Sequence, residues 1–386
     1  MKDSIVSKSC DVSHNSIRIM MFVHSLRRGG AERVLLEIAL GLLAKGYLVE
    51  VVSWLDIDEY TEKRYRSIKR HYLLSNEKYS WPWSIRQTAK SLRKVVSQFK
   101  PDIIELHSPT VLWVTAFANL RIPVTHVLHG YGSISRGITI KNTVYRLIDT
   151  LASFLLRARL VTVSQSMISV AGAHYSINPQ KVTFVANGID LRKYPFRDRK
   201  PNGDPVVLML GTLSPNKGQY LGIKTIRYVI KVFPNAKLVI AGDGAVRPDL
   251  EALAAEYGVA ENVEFLGRRD DVSNILTMAH VLWQLSDSEG MPMVVLEAMA
   301  AGVPVVGFDV RGTCDAIVDE NTGCLVPYGD CHIVAAKTNE LLCDSKRYQI
   351  LSNNARERVV KFFSLNSMVD GHERVLIAHK DRNSKL

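Results

Sequence analysis

The sequence predicts an α/β protein of two doubly wound domains, in each of which helices cover both faces of a parallel sheet. Three observations lead to this prediction. The chain has 386 residues, a length that suits two domains. Short apolar runs alternate with segments of helical period, which is typical of buried parallel strands joined by helices. A stretch rich in proline and charge, at residues 194–205, interrupts this alternation near the middle of the chain.

Each half of the chain contains five predicted strands. In the first half they lie at residues 17–24, 48–54, 102–107, 124–129 and 160–164, and helices are predicted at 31–43, 85–99 and 143–156. In the second half strands are predicted at 206–210, 237–241, 263–266, 281–285 and 303–307, and helices at 219–233, 247–257, 271–279, 293–300 and 330–343. The predicted boundaries are an N-terminal domain at 1–194, a linker at 195–205, a C-terminal domain at 206–364 and a helix at 365–386 that packs back on the N-terminal domain.

Composition argues against several classes of protein. Apolar residues make up 47% of the chain and charged residues 23%, values that disfavour a disordered or fibrous protein. No apolar run reaches the ~18 residues that a transmembrane helix needs, and the polar N-terminus lacks a signal-peptide core, so we expect a cytoplasmic protein. The five cysteines form no CxxC pair and are expected to be idle thiols rather than a zinc site.

Charge is divided unevenly along the chain. Residues 1–200 contain 30 Lys and Arg against 15 Asp and Glu, whereas residues 201–386 contain 19 against 23. We therefore expect the two domains to have different partners. Nucleic acid, an anionic membrane surface or a phosphorylated substrate would each suit the basic half. No RNA-binding motif with exposed stacking aromatics is visible, so nucleic acid is not the expected partner.

The residues that follow the predicted strands are the candidate ligand-binding residues, because ligands of doubly wound sheets bind at the carboxyl ends of the strands. Gly29-Gly30 precede a helix, whose N-terminus favours anions, but they equally suit a plain tight turn. His129 ends the fourth strand, where it could contact a ligand or a loop carbonyl. Lys217 stands beside Gly218 at the start of a helix and could meet a phosphate as a point charge.

Residues 286–297 form the most informative segment. Pro292 suits the first turn of a helix, which places Glu289 in the preceding loop and Glu297 in the second turn. The N-terminus of this helix would attract a diphosphate, and the two carboxylates beside it would accept hydrogen bonds from sugar or ribose hydroxyls. The pattern indicates a nucleotide-sugar site; a capped amphipathic helix with two solvated acids is the alternative.

Taken together, these motifs resemble the retaining glycosyltransferases of family 4, which have the GT-B fold. The matching segments have the order and spacing of the family; they are residues 29–32, 129–130, 187–190, 211–218, 238–244, 263–267, the pair Glu289 and Glu297, and residues 298–306. The resemblance covers most of residues 17–330. It implies that the domain at 1–194 binds the acceptor and the domain at 206–364 binds the nucleotide sugar.

The resemblance also implies a role for each site residue. Glu289 would bind donor-sugar hydroxyls near the reacting carbon and His129 would lie near the transferred sugar; these two are the predicted catalytic residues. The predicted donor-binding residues are Gly30, Thr212, Lys217, Gly290, Met291, Pro292 and Glu297. Among them Lys217 would hold the diphosphate and Glu297 the ribose. No metal or other cofactor is expected, since Lys217 and the helix dipole supply the positive charge.

Two positions depart from the family pattern. Thr212 stands where the family has an arginine, which removes a charge-assisted contact to phosphate. Arg268, Arg311 or the pair Arg27-Arg28 could supply the missing charge. Asp315 stands where many relatives have a glutamate.

A basic, amphipathic segment suggests how the N-terminal domain meets its acceptor. The helix predicted at 85–99 has an apolar stripe flanked by cations, and Trp81 and Trp83 precede it. The stripe consists of Ile85, Ala89, Leu92, Val96 and Phe99. Two interpretations remain open, contact with an anionic bilayer surface or packing on the first sheet.

The sequence thus predicts a retaining glycosyltransferase, peripheral on the inner face of the cell membrane. It would move a sugar from a nucleotide donor, expected to be a UDP-sugar, to a lipid-linked saccharide in surface polysaccharide or glycan synthesis. Two alternatives are a sugar-nucleotide epimerase of the same fold, which needs no acceptor, and a non-catalytic sugar-nucleotide-binding protein, which the threonine at position 212 would suit.

Overall fold

A seven-stranded parallel sheet forms the centre of the first domain. The computed structural model describes residues 17–75, 83–130, 139–197 and 203–383. The strands are β1 (Arg18–Val23), β2 (Leu48–Leu55), β3 (Lys69–Leu74), β4 (Ile103–Leu106), β5 (Val124–Leu128), β6 (Arg159–Thr162) and β7 (Thr183–Phe184). Their order is β3-β2-β1-β4-β5-β6-β7. The order reverses between β1 and β4, and in such sheets the ligand site lies at the point of reversal.

A six-stranded parallel sheet forms the second domain. Its strands are β8 (Val206–Leu210), β9 (Lys237–Ala241), β10 (Val263–Gly267), β11 (Val281–Gln284), β12 (Val305–Phe308) and β13 (Cys324–Val326). Their order is β10-β9-β8-β11-β12-β13, with the reversal between β8 and β11. Both sheets are doubly wound, so the predicted fold class is confirmed.

Thirteen α-helices lie in the described residues. They are α1 (Gly30–Ala44), α2 (Ser84–Phe99), α3 (Pro109–Ala118), α4 (Ile140–Leu155), α5 (Met167–Tyr175), α6 (Gln219–Val229), α7 (Arg247–Glu256), α8 (Val272–Met278), α9 (Met293–Ala301), α10 (Thr313–Ala316), α11 (Cys331–Cys343), α12 (Ser345–Phe362) and α13 (Leu365–Asn383). Helices α2, α3, α4 and α5 pack side by side in that order. None of these thirteen has both the length and the apolar composition that crossing a bilayer requires.

Every predicted strand and helix is present, with bounds that differ by a few residues, but several elements were not predicted. The missed elements are β3, β7, β13, α3, α5, α10 and α12. Strand β3 is an edge strand that begins with Lys69 and Arg70, so it lacks the apolar run of a central strand. Helix α3 is apolar on most of its surface, so it lacks the 3.6-residue alternation that identifies a surface helix.

The last two helices connect the domains. Helix α12 packs on α9 of the second domain, and α13 packs on α1 of the first. Between them Ile189 and Phe363 to Leu365 exchange backbone hydrogen bonds of 2.9 Å. In the contact of α13 with α1, Val369 lies against Gly41, where a Cβ atom would meet its side chain at 2.4 Å. The chain therefore returns to the first domain after completing the second.

The apolar stripe of α2 packs inward. Ala89 and Leu92 are fully buried, and Ile85, Val96 and Phe99 pack against the core of the first sheet. Of the two interpretations that the sequence left open for this stripe, the structure supports packing on the sheet. Trp81 lies outside the described residues, whereas Trp83 is exposed.

Candidate functional site

A cavity of about 270 Å³ lies between the domains, where the carboxyl ends of β1, β5, β8 and β11 face each other. Its lining contains eight of the nine predicted site residues. They are Gly30, His129, Thr212, Lys217, Glu289, Gly290, Met291 and Pro292. These residues come from both halves of the chain, so the cavity exists only because the two domains approach each other.

A second chamber, of about 710 Å³, adjoins the first and shares Gly30, Thr212 and Met293 with it. The ninth predicted residue, Glu297, lines this chamber. Six arginines line it as well, namely Arg27, Arg28, Arg33, Arg64, Arg268 and Arg269. Three candidates were named for the positive charge that is missing at Thr212. Two of them line the same chamber as Thr212, namely Arg268 and the pair Arg27-Arg28. The third, Arg311, accepts a backbone hydrogen bond of 3.2 Å from the N–H of Glu289.

Gly290 lets the two domains come close at the start of α9. A Cβ atom on Gly290 would lie 1.9 Å from the carbonyl oxygen of His129, so any other residue would force the domains apart. Asn187 Nδ2 donates to the Met291 carbonyl at 3.4 Å and holds the same loop. Pro292 precedes α9 as its cap instead of lying in the first turn as predicted, and the first helical residue is Met293. The first-turn N–H groups of a helix have no helical acceptor, so this end of α9 offers donors to an anion at the cavity.

Lys217 and Glu289 form an ion pair inside the cavity. Lys217 Nζ lies 2.6 Å from Glu289 Oε1, and Gln284 Nε2 donates to the same oxygen at 3.0 Å. Gly218 has φ +71, and a Cβ atom there would lie 1.9 Å from the Leu285 carbonyl oxygen, so glycine is required for the lysine loop to approach the end of β11. The lysine is thus held over the cavity, where an anionic ligand would compete with Glu289 for its charge.

Glu297 is paired across the domain boundary. Its side chain is 1% exposed and accepts hydrogen bonds from the Arg33 guanidinium of α1 and from the Tyr194 hydroxyl at 2.7 Å. Burial alone would lower the pKa of Arg33, but the Glu297 carboxylate outweighs burial and raises it. Burial, followed by the charge of Glu297, raises the pKa of Tyr194. Arg33 therefore stays charged and Tyr194 stays protonated, and both donate to the carboxylate.

A buried chain of titratable side chains leads away from His129. Its Nε2 atom lies 2.8 Å from Nδ1 of His107, and the two rings stack with centroids 5.1 Å apart. His107 Nε2 lies 3.4 Å from Glu105 Oε2, while Glu105 Oε1 lies 2.7 Å from Nδ1 of His372 on α13. Glu105, His107 and His372 are removed from solvent, and His129 is half-buried at the cavity, so the proton positions of the chain depend on one another.

The protonation states of this chain follow from burial and charge. Burial alone would raise the pKa of Glu105, but the neighbouring imidazoles, His372 first, hold it below its usual range, so Glu105 is a carboxylate. Burial lowers the pKa of His107 and of His129, so both rings are neutral. The Glu105 carboxylate, 3.4 Å from His107 Nε2, favours the tautomer of His107 that has its proton on Nε2, so that Nδ1 accepts from the N–H of His129 Nε2. This leaves His129 Nδ1 as an acceptor, and it has no partner among the described residues.

Asp315 links the domains on the far side of the loop that contains Glu289. Its carboxylate accepts from the backbone N–H groups of Gln165 and Ser166, at 2.8 and 3.1 Å, and from the Ser166 hydroxyl at 2.5 Å. Ser166 is the N-cap of α5, so the carboxylate lies at the positive end of that helix. This position, where many relatives have glutamate, is thus a contact between the domains in this chain.

Several residues of the site were not predicted. They are Glu105, His107, Arg33, Tyr194 and Gln284. Glu105 and His107 had a signal in the sequence, because a carboxylate and an imidazole interrupt the end of an otherwise apolar central strand. Arg33 had none, since an arginine in the first turn of a helix is ordinary on a protein surface.

Comparison with protein families places the whole site within one class of enzyme. Residues 28–193 match the family described as Glycosyltransferase Family 4, and residues 190–358 match the family described as Glycosyl transferases group 1. The two matches together include all nine predicted site residues.

Among the curated relatives, two have names that specify undecaprenol-linked substrates. The UDP-Gal:alpha-D-GlcNAc-diphosphoundecaprenol alpha-1,3-galactosyltransferase of Escherichia coli is 27% identical over 298 residues, which are 72% of this chain and 76% of the relative. A Campylobacter jejuni enzyme, the GalNAc-alpha-(1->4)-GalNAc-alpha-(1->3)-diNAcBac-PP-undecaprenol alpha-1,4-N-acetyl-D-galactosaminyltransferase, is 26% identical over 356 residues, 90% of this chain and 94% of the relative.

A solved structure shows the same fold. Anabaena Alr3699/HepE in complex with UDP and glucose superposes with a TM-score of 0.79 at 21% identity, covering 93% of this chain and 99% of that one. At this identity the likeness establishes the fold, which is the predicted GT-B fold.

Proposed function

Because this chain belongs to the family 4 glycosyltransferases and has the GT-B fold, we propose that it transfers a sugar from a UDP-sugar to a lipid-linked saccharide with retention of the anomeric configuration. The observation that carries the proposal is the cavity that joins Lys217, Glu289 and the start of α9 beneath His129. A cation, a helix N-terminus and a carboxylate in one cavity can hold a diphosphate and a sugar at the same time.

Lys217 and the N-terminus of α9 bind the donor diphosphate in this proposal. The diphosphate draws Lys217 away from Glu289, because it carries more negative charge than one carboxylate. Glu289 is then free to accept hydrogen bonds from the sugar hydroxyls, still oriented by Gln284. His129 lines the same cavity and lies beside the sugar. Glu297 receives the ribose hydroxyls in the adjoining chamber, where Arg33 and Tyr194 orient its carboxylate.

The transfer exchanges one bond to the anomeric carbon for another on the same face of the sugar. The bond from that carbon to the diphosphate oxygen breaks, the acceptor oxygen forms the new bond, and the acceptor proton passes to the departing diphosphate. Lys217 and the helix N-terminus stabilise the charge that develops on the leaving group. The proposal therefore requires no metal ion, and we expect full activity in the presence of a chelator.

The acceptor is proposed to be a saccharide attached to a lipid diphosphate, at the cytoplasmic face of the cell membrane. The support comes from the two curated relatives, whose names specify undecaprenol-linked substrates. The excess of basic residues in the first 200 positions is consistent with an anionic partner on that side of the protein.

The donor half of the proposal is tested by calorimetry with UDP, other nucleoside diphosphates and their sugars. We expect UDP to bind and Lys217→Ala to weaken it about tenfold or more, as loss of a charge-assisted hydrogen bond implies. Lys346→Ala is the matched control, since this lysine is exposed at the start of α12 and lines neither chamber. Equal binding by both variants, or binding of no nucleotide at all, would contradict the donor assignment.

The transfer itself is tested with the UDP-sugar that binds and a panel of lipid-linked saccharides, with the anomeric configuration of the product read by NMR. A product of inverted configuration would reject the proposed geometry. Conversion of the donor without any acceptor would support the epimerase instead, and donor binding without conversion would support a non-catalytic protein.

A further inference from the structure

Helix α4 presents an apolar face to solvent. The exposed side chains recur at helical spacing and form one ridge; they are Val144, Leu147, Ile148, Leu151, Phe154 and Leu155. Leu147 is 68% exposed and Phe154 is 77% exposed. Surface helices of a globular domain normally turn such a face toward the core, so a ridge of this size marks a surface that is covered when the protein works.

Polar contacts on the inner side of α4 hold the ridge outward. Asp149 is buried and accepts from Trp113 Nε1 of α3 at 2.6 Å and lies 2.7 Å from His174 Nε2 of α5. Thr150 and Arg146 donate to the carbonyl of His174 at 3.1 and 3.2 Å. Rotating α4 to bury the ridge would break all these contacts and would remove the Asp149 carboxylate from its hydrogen-bond donors. The outward orientation is therefore a stable property of the fold.

The surroundings of the ridge are strongly cationic. Residues 83–189 contain twelve Lys and Arg but only three acids, namely Asp102, Glu105 and Asp149. Two of these acids, Glu105 and Asp149, are buried, so they do not neutralise the surface. On α2, the exposed cations are Arg86, Lys90, Arg93, Lys94 and, just past its end, Lys100. Helix α3 lies between α2 and α4 in one layer, so this charge is one helix away from the apolar ridge.

We propose that the α4 ridge, together with the basic side of α2, is the surface by which this protein rests on an anionic bilayer. Leucine and phenylalanine side chains enter the boundary between headgroups and acyl chains, while lysines and arginines meet the lipid phosphates. A second copy of the chain is the disfavoured occupant, because a two-fold contact through this face would set the same cations against each other. A nucleic acid would use the cations but leave the apolar ridge exposed.

The location of the ridge fits a substrate delivered from the bilayer. His129 lines the transfer cavity, and α4 begins eleven positions later along the chain, at Ile140. The proposed bilayer surface and the cavity therefore belong to the same domain and are close in sequence. This inference rests on the proposed lipid-linked acceptor, and it adds the face of the protein that meets the lipid.

The test measures binding of the full chain to vesicles of phosphatidylcholine alone and of phosphatidylcholine mixed with phosphatidylglycerol. We expect the unmodified protein to bind the mixed vesicles, and this binding to weaken with salt. The double variant Leu147→Ser, Phe154→Ser should bind them at least tenfold more weakly. The double variant Lys90→Glu, Lys94→Glu should depend less on phosphatidylglycerol. The matched controls are Ile350→Ser and Lys346→Glu on α12, which replace an exposed apolar side chain and an exposed cation in the other domain.

Undiminished vesicle binding by the Leu147→Ser, Phe154→Ser variant would overturn the inference. The inference would also be overturned if the unmodified protein were a dimer and this variant a monomer with unaltered vesicle binding. The ridge would then be an interface between two copies of the chain. UDP binding is measured on every variant. Its retention in the ridge variants shows that they are folded, while its absence from the unmodified protein would reject the proposed function independently of the bilayer contact.

Discussion

The Nδ1 atom of His107 lies 2.8 Å from Nε2 of His129, so the cavity histidine is oriented by a ring that lines neither chamber. The ionised Glu105 favours the tautomer of His107 that accepts at Nδ1, and His129 then donates from Nε2 and keeps an unprotonated Nδ1. We predict that His107→Ala lowers kcat about tenfold by releasing the ring and its tautomer, while the Kd for UDP stays unchanged.

His107→Asn provides the discriminating comparison. Its side-chain oxygen can occupy the position of Nδ1 and accept from His129, so we expect it to recover much of the lost kcat. If alanine and asparagine reduce kcat equally, or if the Kd for UDP rises with the loss of kcat, then His107 has a packing role and does not position His129.

The pair formed by Arg33 and Glu297 yields a prediction about stability. Glu297 is almost fully buried, so Arg33→Ala leaves its carboxylate without the guanidinium charge, and Tyr194 is then its remaining hydrogen-bond donor among the described residues. We predict a loss of about 3 kcal/mol in the free energy of unfolding, measured in urea. In the Glu297→Gln background the same Arg33→Ala change costs much less, because no charge remains to be compensated. Equal costs in the two backgrounds would show that the pair is not coupled.

The order of the elements was predictable because buried parallel strands leave a plain mark in a sequence. Strands β8 and β9, for example, begin and end where the apolar runs do, since both faces of a central strand must be covered. Edge strand β3 was missed because it has too few apolar residues to form a run. Helix α3 was missed because it has so many apolar residues that no 3.6-residue period is visible.

The site was predictable to the extent that its residues follow strands. Gly30, His129, Lys217 and Glu289 come after β1, β5, β8 and β11, and parallel topology then brings them together. Arg33 and the α4 ridge were not predictable, because each depends on which side of a helix meets a neighbour. The apolar stripe of α2 illustrates the difficulty, since a pattern that covers a sheet is the same in sequence as one that meets a bilayer.

We predict that the buried His126 makes the protein less stable in mild acid. His126 is fully buried on β5, and burial is the main cause that lowers its pKa from 6.5 to about 3. As the pH falls below 6.5, His126 takes up a proton in the unfolded chain but not in the folded chain. The free energy of unfolding therefore decreases as the pH falls below 6.5. From about pH 7 to about pH 5 the loss from one such group is about 2 kcal/mol.

His126→Gln should therefore flatten the fall in unfolding free energy over that pH range, whatever it does to stability at neutral pH. The control is His332→Gln, an exposed histidine on α11 that solvent reaches in the folded and unfolded states alike. A fall of unchanged steepness in His126→Gln would mean that this imidazole takes up its proton in the folded protein.

Thr212 provides the last prediction, because it occupies the position of the arginine in the family pattern and lines both chambers. Its carbonyl accepts from Gln219 Nε2 at 3.0 Å, a backbone contact that a change of side chain leaves in place. We predict that Thr212→Arg lowers the Kd for UDP about tenfold, because the arginine adds a charge-assisted hydrogen bond to phosphate. Thr212→Ala should leave the Kd for UDP unchanged. An unchanged Kd for Thr212→Arg would instead mean that the arginines already around the second chamber satisfy the diphosphate. In that case Arg28→Ala and Arg268→Ala should each weaken the binding of UDP. This result would distinguish compensation by these arginines from a site that does not need the additional charge.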